Sequence, residues 1–129
     1  ARLRADPRVM ILDGVNARTL SAGLIPEKPG LAVMDVSFIS LEKVLPAVVP
    51  LLAAPARLVT LIKPQFEAGR KQVEKGGVVR DPAVRQQAVE RIRAFGTTVL
   101  GLTWDGCCES LLKGPAGNVE FLAAWTKKS

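Results

Sequence analysis

The stretch Leu31-Ala-Val-Met-Asp-Val-Ser-Phe-Ile-Ser-Leu-Glu-Lys-Val-Leu-Pro-Ala-Val-Val-Pro-Leu-Leu-Ala-Ala-Pro-Ala-Arg-Leu-Val-Thr-Leu-Ile-Lys63 reads as strand, helix, strand. Leu31 to Asp35 and Leu58 to Ile62 are continuous apolar runs, the pattern of strands buried on both faces. Between them Leu41, Val44, Leu45 and Val48 recur at helical spacing behind Ser40, whose hydroxyl can cap first-turn amides, so a helix is expected over Ser40 to Leu52, bent at Pro46. Working outward, Val9 to Leu12, Thr97 to Leu102 and Val119 to Trp125 complete a set of five expected strands. Asp81-Pro82 is a cap followed by an N1 proline, opening a second helix with Val84, Ala88, Val89, Ile92 and Phe95 as its apolar stripe and Gly96 as its end. The alternation predicts an α/β domain with a mostly parallel sheet covered by helices. Lys63 to Arg80 holds Gly69, Gly76 and Gly77, five basic residues and little periodicity, and reads as a long mobile loop.

Composition narrows the function. The chain has 129 residues, 48% hydrophobic and 23% charged, enough for one buried core. Its most apolar stretch, Val44 to Ala56, is interrupted by Pro46, Pro50 and Pro55 and falls short of a bilayer span. The net charge is +6, with Lys and Arg concentrated between Lys63 and Arg93, which suits a polyanion such as nucleic acid. The absence of histidine excludes Ser-His-Asp and Cys-His nucleophile systems within this chain and argues against a metal site. Adjacent Cys107 and Cys108 match neither a zinc pattern nor a stable disulfide, so reduced thiols and a cytoplasmic setting are expected. The opening Ala1-Arg-Leu-Arg-Ala-Asp6 is charged, unlike a secretory leader, and carries no initiator Met, so a piece cut from a longer protein is expected.

In an open parallel sheet, ligands sit at the carboxyl ends of the strands. Asp35 and Lys63 occupy two such ends, and Glu120 lies just inside the last expected strand after the turn Lys113-Gly-Pro-Ala-Gly-Asn118. Opposite charges on neighbouring strand tips can meet over one site, although a strand-end Asp also serves as a helix cap and a strand-end Lys as a solvated group.

Four strings carry a resemblance: Val33-Met-Asp-Val-Ser-Phe-Ile-Ser-Leu41, Leu61-Ile-Lys-Pro-Gln-Phe-Glu-Ala-Gly-Arg70, Lys75-Gly-Gly-Val-Val-Arg-Asp-Pro82 and Gly114-Pro-Ala-Gly-Asn-Val-Glu-Phe-Leu122. In this order they resemble the TlyA, or hemolysin A, family of FtsJ-like RNA ribose 2'-O-methyltransferases. The resemblance implies a Rossmann-like class I methyltransferase sheet, S-adenosylmethionine as cofactor and RNA, expected to be ribosomal, as substrate. Such proteins carry an S4-type RNA-binding domain and then a methyltransferase domain with a Lys-Asp-Lys-Glu tetrad. Asp35, Lys63 and Glu120 match its last three positions. The first lysine, the Gly-rich cofactor loop and the sheet's first two strands are expected upstream of Ala1. The resemblance also places Asn16 and Ala17 against the cofactor's adenine and Asp35, Val36 and Ser37 at its methionine end. Arg70, Lys71, Lys75 and Arg80 are then expected on RNA phosphates. Two positions depart from the pattern: Ser110-Leu111-Leu112 stands where Ser-Pro-Ile is usual, and Arg85 where many relatives have His.

The chemistry explains these residue types. A ribose 2'-hydroxyl is a weak nucleophile that loses its proton while attacking a sulfonium methyl. A lysine can assist if burial lowers its pKa, each unit being worth about 1.4 kcal/mol, while flanking carboxylates orient the amine and oppose that shift. On this reading Lys63 orients or deprotonates the hydroxyl and Asp35 and Glu120 position it. Trp104 and Trp125 are expected as packing residues.

Without the first two strands, the Val9 and Leu31 strands lack a neighbour. A homodimer through the Leu31 to Asp35 edge, or a disordered N-terminal segment, is expected, with little cofactor binding and no methyl transfer by the chain alone. A non-catalytic RNA-binding module is the alternative. A membrane-acting hemolysin fits worse, since Ser40 to Leu52 has a short apolar stripe and few flanking basic residues.

Overall fold

A computed structural model describes residues 2–129. In chain order the elements are α1 (Arg2–Ala5), β1 (Leu31–Met34), α2 (Leu41–Val48), β2 (Ala56–Ile62), α3 (Pro64–Glu67), α4 (Pro82–Thr98), β3 (Thr103–Glu109) and β4 (Phe121–Lys127), with 3-10 turns between several of them. The four strands form one sheet in the order β1-β2-β4-β3. β1 and β2 pair in parallel, and β4 lies antiparallel between β2 and β3. Three strands therefore share one direction, as the alternating pattern predicts, and β4 alone is reversed. That reversal makes two of the three ladders antiparallel, against the expectation of a mostly parallel sheet.

The core follows from the strand period of two. Along β2, Ala56, Leu58, Thr60 and Ile62 are buried, and they pack with Leu41, Val44 and Leu45 of α2, Val89 and Ile92 of α4, and Ala123 and Trp125 of β4. Ser40 caps α2 by accepting from the Glu42 amide, and Asp81 caps α4 by accepting from the Ala83 amide, both as the sequence indicates. Trp125 is fully buried, its Nε1 donates to Thr60 Oγ1 at 3.0 Å, and its ring meets Trp104 edge-on at 4.8 Å. The backbone of Gly96 lies against that ring so closely that a Cβ there would collide with it.

Four expectations are corrected. Val9 to Leu12 forms no strand; exposed ion pairs, Arg8 with Asp6 and Arg4 with Asp13, flank the segment, and no described strand pairs with it. Thr97 to Leu102 is not a strand either, because α4 continues past Gly96 to Thr98, where Thr97 and Thr98 turn their hydroxyls back onto helix carbonyls. Gly96 is a contact device, and the chain turns only at Gly101, whose φ is +67°. Strand β4 starts at Phe121, two residues after the expected Val119, so Glu120 precedes the strand.

Lys63 to Arg80 is not a structureless loop. Pro64, Gln65 and Glu67 of α3 are buried, and Val78 and Val79 are tied down by Asn118, which accepts from the Val79 amide and donates to the Gly77 and Pro115 carbonyls. The outer edge of β1 is open, with Leu31 and Val33 exposed at 61% and 71%. Cys107 and Cys108 are free and exposed on β3. Among the described residues no helix is long and apolar enough to cross a membrane.

A helical Gly to Ala change ordinarily stabilises by up to about 1 kcal/mol. Gly96→Ala is expected to do the reverse, losing about 1 to 3 kcal/mol in urea unfolding because the methyl drives Trp125 off Thr60. Unchanged or raised stability would contradict this packing.

Candidate active site at the strand tips

Strand direction gathers the charged residues at one end of the sheet. Asp35 follows the carboxyl end of β1, Lys63 follows that of β2, and Glu120 precedes β4, which runs the other way. The ladder Ile62 to Phe121 places Lys63 and Glu120 as the next facing pair.

Lys63 is buried to 8% exposure, and its Nζ contacts Asp35 Oδ1 at 2.5 Å and Ser37 Oγ at 3.0 Å. Asp35 itself is two-thirds exposed, so the pair is solvated on one side and covered on the other. Glu120 is buried and does not share this ion pair among the described residues. Its Oε2 accepts from Gln65 Nε2 at 2.8 Å, and the backbone of Gly114 presses on the carboxylate with no room for a Cβ. The three expected catalytic residues thus stand side by side as two linked units, Lys63 with Asp35 and Glu120 with Gln65.

Glu67 closes the short helix α3 that follows Lys63. Its Oε1 accepts from Ser40 Oγ at 2.5 Å and its Oε2 from the Leu41 amide at 2.9 Å, so α3 is fastened to the N-terminus of α2. Burial pushes the Glu67 carboxyl up from its ordinary range against these two bonds. The clamp fixes the turn that carries Ser37 and Phe38 over the lysine. Phe38 is 90% exposed, holds a left-handed backbone with φ 63°, and lies 5.1 Å from the Phe66 ring. A non-glycine residue in that region costs about 1 kcal/mol or more, so the turn is imposed by its surroundings.

Two clefts are lined by neighbours of the lysine, Asp35 in one and Gln65 in the other. One, about 310 Å³, runs along β1 and is lined by Ala17, Leu20, Ala32, Val33, Met34, Asp35 and Val36 among others. It brings together three of the expected cofactor residues, Ala17, Asp35 and Val36. Asn16 is not among them; its Oδ1 accepts from the Arg18 amide and caps a 3-10 turn. Ser37 instead faces Lys63. The apolar walls and the Asp35 carboxylate would suit a ligand with an apolar body and a cationic group at one end. The other cleft, about 170 Å³, lies between Phe38, Gln65, Phe66, Gly76, Gly77, Pro115 and Asn118.

The four expected RNA contacts, Arg70, Lys71, Lys75 and Arg80, are all exposed on the segment bordering this smaller cleft, Arg80 facing Glu74 at 3.5 Å. A third hollow adds Arg18 and Lys43 beside Phe38 and Phe66. Sequence reasoning did not single out Phe38, Gln65, Phe66 or Glu67. Their roles depend on contacts across 26 or more positions, as between Glu67 and Leu41, and no local spacing signals such contacts.

Comparison with known proteins shows the family and the fold. The chain is 47% identical over 119 residues to the 16S/23S rRNA (cytidine-2'-O)-methyltransferase TlyA of Mycobacterium tuberculosis, covering 92% of this chain and 44% of that protein. It superimposes on a Lactococcus lactis protein named a hemolysin with a TM-score of 0.94 at 40% identity, covering 98% of this chain and 61% of that one. An S-adenosylmethionine-dependent methyltransferase of Methanosarcina mazei shares the fold alone, with a TM-score of 0.54 at 18% identity over 98% of this chain and 74% of that one. The chain spans about half the length of the curated relatives it matches. Residues 1–127 match the family model of the FtsJ-like methyltransferases, and the chain belongs to that family.

Proposed function

We propose that this chain forms the acceptor side of a ribose 2'-O-methyltransferase site that uses S-adenosylmethionine and acts on ribosomal RNA in the cytoplasm. The carrying observation is the buried Lys63 held by Ser37 and by Asp35, which lines one cleft, with Gln65, two positions after the lysine, lining the other. Of the three donor directions of a lysine ammonium, these bonds occupy two, and the third is left for the acceptor hydroxyl. With that donor Lys63 orients the 2'-oxygen; in its neutral amine form, where a lone pair replaces that N–H, it takes the hydroxyl proton as the oxygen–methyl bond forms and the methyl–sulfonium bond breaks. Asp35 and Ser37 fix the amine, while Glu120, held by Gln65 and the Gly114 backbone, stands opposite Lys63 at the end of the ladder. Bound S-adenosylmethionine supplies an electrophilic methyl on a sulfonium. Ala17, Asp35 and Val36 line the side on which its methionine end would lie, with Asn16 beside the adenine.

The ribosomal target is supported by the likeness to TlyA, and the RNA itself by the exposed cations Arg70, Lys71, Lys75 and Arg80 on the segment that carries Gly76 and Gly77 of the smaller cleft. The cofactor cleft is bordered by the open edge of β1, where Leu31 and Val33 face outward, so this chain alone covers the cofactor on one side only. We therefore propose that residues 1–129 are part of a methyltransferase domain whose cofactor loop and S4-type domain lie elsewhere in a longer protein. We also propose that the chain alone transfers no methyl groups and pairs through its β1 edge as a homodimer.

Calorimetric titration of S-adenosylmethionine into this chain, and into a polypeptide that also carries the family's glycine-rich cofactor turn, is expected to show binding at least about 100-fold tighter in the second, or roughly 2.7 kcal/mol. Failure of both to bind would remove the methyltransferase reading. For RNA, the triple substitution Arg70→Ala, Lys71→Ala, Lys75→Ala in this chain is expected to flatten the slope of log affinity against log salt by roughly 2, since each single-strand phosphate contact contributes about 0.7. An unchanged slope would place the RNA elsewhere.

A further inference from the structure

Leu111 and Leu112, in the connection from β3 to β4, are 100% and 81% exposed. Scattered apolar side chains are ordinary on a protein surface, but two adjacent leucines left wholly in water mark a place where something else is met. The connection that carries them is tied down at both ends. The Ser110 amide donates to the Glu120 carbonyl at 2.8 Å, the Gly114 amide to the Asn118 carbonyl at 2.8 Å, and the Leu112 amide to Ser110 Oγ at 3.2 Å. The leucines are therefore presented on a bonded base.

Their surroundings identify the partner. Ser110 is bonded to the backbone of Glu120, the buried carboxylate of the candidate site, and the leucines follow it directly. Asn118, which closes the same connection, also bonds the Val79 amide and the Gly77 carbonyl, so the connection is fastened to the segment bearing Lys75 and Arg80. Exposed Lys113 comes next in the chain. Apolar side chains among cations suit a polyanion with apolar faces between its charges, which is a stacked nucleic-acid strand. A bilayer surface takes the apolar face of a whole helix and a stable protein interface a far wider patch, whereas two leucines match one opened base step. Lys63 gives the reason for such an opening. Its amine is buried, so a ribose reaches it only once the nucleotide has left the stack, and the gap closes again unless an apolar group fills it.

We propose that Leu111 and Leu112 form an apolar wedge that enters an RNA strand beside the nucleotide whose ribose is drawn to Lys63, filling the space this nucleotide leaves in the stack. This rests on the proposed RNA-methyltransferase reading and adds the means by which the strand is held open. Phosphates on the exposed cations bring the strand in, and the leucines then exchange water for base faces. The same exchange keeps the nucleotide from returning to its place. A leucine reads no hydrogen-bonding edge, so the wedge itself is indifferent to sequence.

The test uses a short single-stranded RNA in which cytidine alternates with 2-aminopurine, whose emission is quenched while it is stacked. Anisotropy of an end label measures binding to this chain, and emission of the 2-aminopurine at saturation measures unstacking. The wild-type chain is expected to raise the emission about two- to fivefold, and the double variant Leu111→Ser, Leu112→Ser to lose at least about half of that rise. The variant is expected to bind no more than about tenfold more weakly, with the slope of log affinity against log salt unchanged, since no phosphate contact is removed. Leu111→Met, Leu112→Met, which keeps the apolar volume, is expected to retain the rise. Both side chains are exposed, and the Trp125 indole proton, bonded to Thr60, reports in NMR that each variant is folded. A rise that persists in full in the serine variant overturns the inference, as does RNA binding by the wild type with no rise. Loss of co-sedimentation with phosphatidylglycerol vesicles in the serine variant, with RNA unstacking intact, overturns it in favour of a membrane. Absence of RNA binding altogether overturns both this inference and the reading beneath it.

Discussion

The antiparallel ladder between β2 and β4 is the constraint on which the rest depends. Its register, Leu58 with Trp125 through Ile62 with Phe121, ends with Lys63 and Glu120 facing each other just beyond the last pair. A slip of one residue would send every side chain of β4 to the opposite face, moving Trp125 out of the core and Glu120 away from the lysine. The register is secured from both sides. Trp125 donates to Thr60 in the middle of the ladder, and α4 can approach the ring only because Gly96 has no side chain. Packing thus determines where the charges stand.

Around the strand tips, buried polar residues fasten the surrounding turns to one another. Glu67 joins α3 to the start of α2, Asn118 joins the glycine turn at Gly77 to the turn at Pro115, and Gln65 holds Glu120. Each replaces water with protein bonds in a low-dielectric setting, where a hydrogen bond is stronger and a missing one costs more. They hold Lys63 and the turn at Phe38 in place, leaving the cations from Arg70 to Arg80 exposed on the outer side. Fixed geometry at the centre and solvated charge at the rim suit a substrate that is first attracted by its phosphates and then positioned at one sugar.

What the sequence made legible was whatever is encoded locally. The β-helix-β unit from Leu31 to Lys63, the caps at Ser40 and Asp81, and Asp35 and Lys63 at strand ends all follow from period and residue type over a few positions. Thr97 to Leu102 misled because β-branched threonines and a preceding glycine look like a helix end followed by a strand, while the glycine was answering Trp125, 29 positions later in the chain. Val9 to Leu12 has strand composition but no neighbour to pair with among the described residues, and composition alone makes no ladder. Lys63 to Arg80 looked unstructured because its order comes from Asn118 and from contacts with α2. The candidate site was half legible on the same terms: its charged residues could be named, while Gln65 and Glu67, whose partners are remote, could not.

The central claim is that Lys63 stands at the acceptor hydroxyl. It is tested most directly by mass spectrometry of RNA nucleosides after incubation with methyl-labelled S-adenosylmethionine and a polypeptide joining this chain to the family's glycine-rich cofactor turn, with Lys63 intact or replaced by Ala. The account predicts labelled 2'-O-methyl nucleoside with Lys63, and a rate lower by about 10² to 10⁴ in Lys63→Ala with cofactor affinity unchanged within a few-fold. Equal rates in the two forms would contradict it.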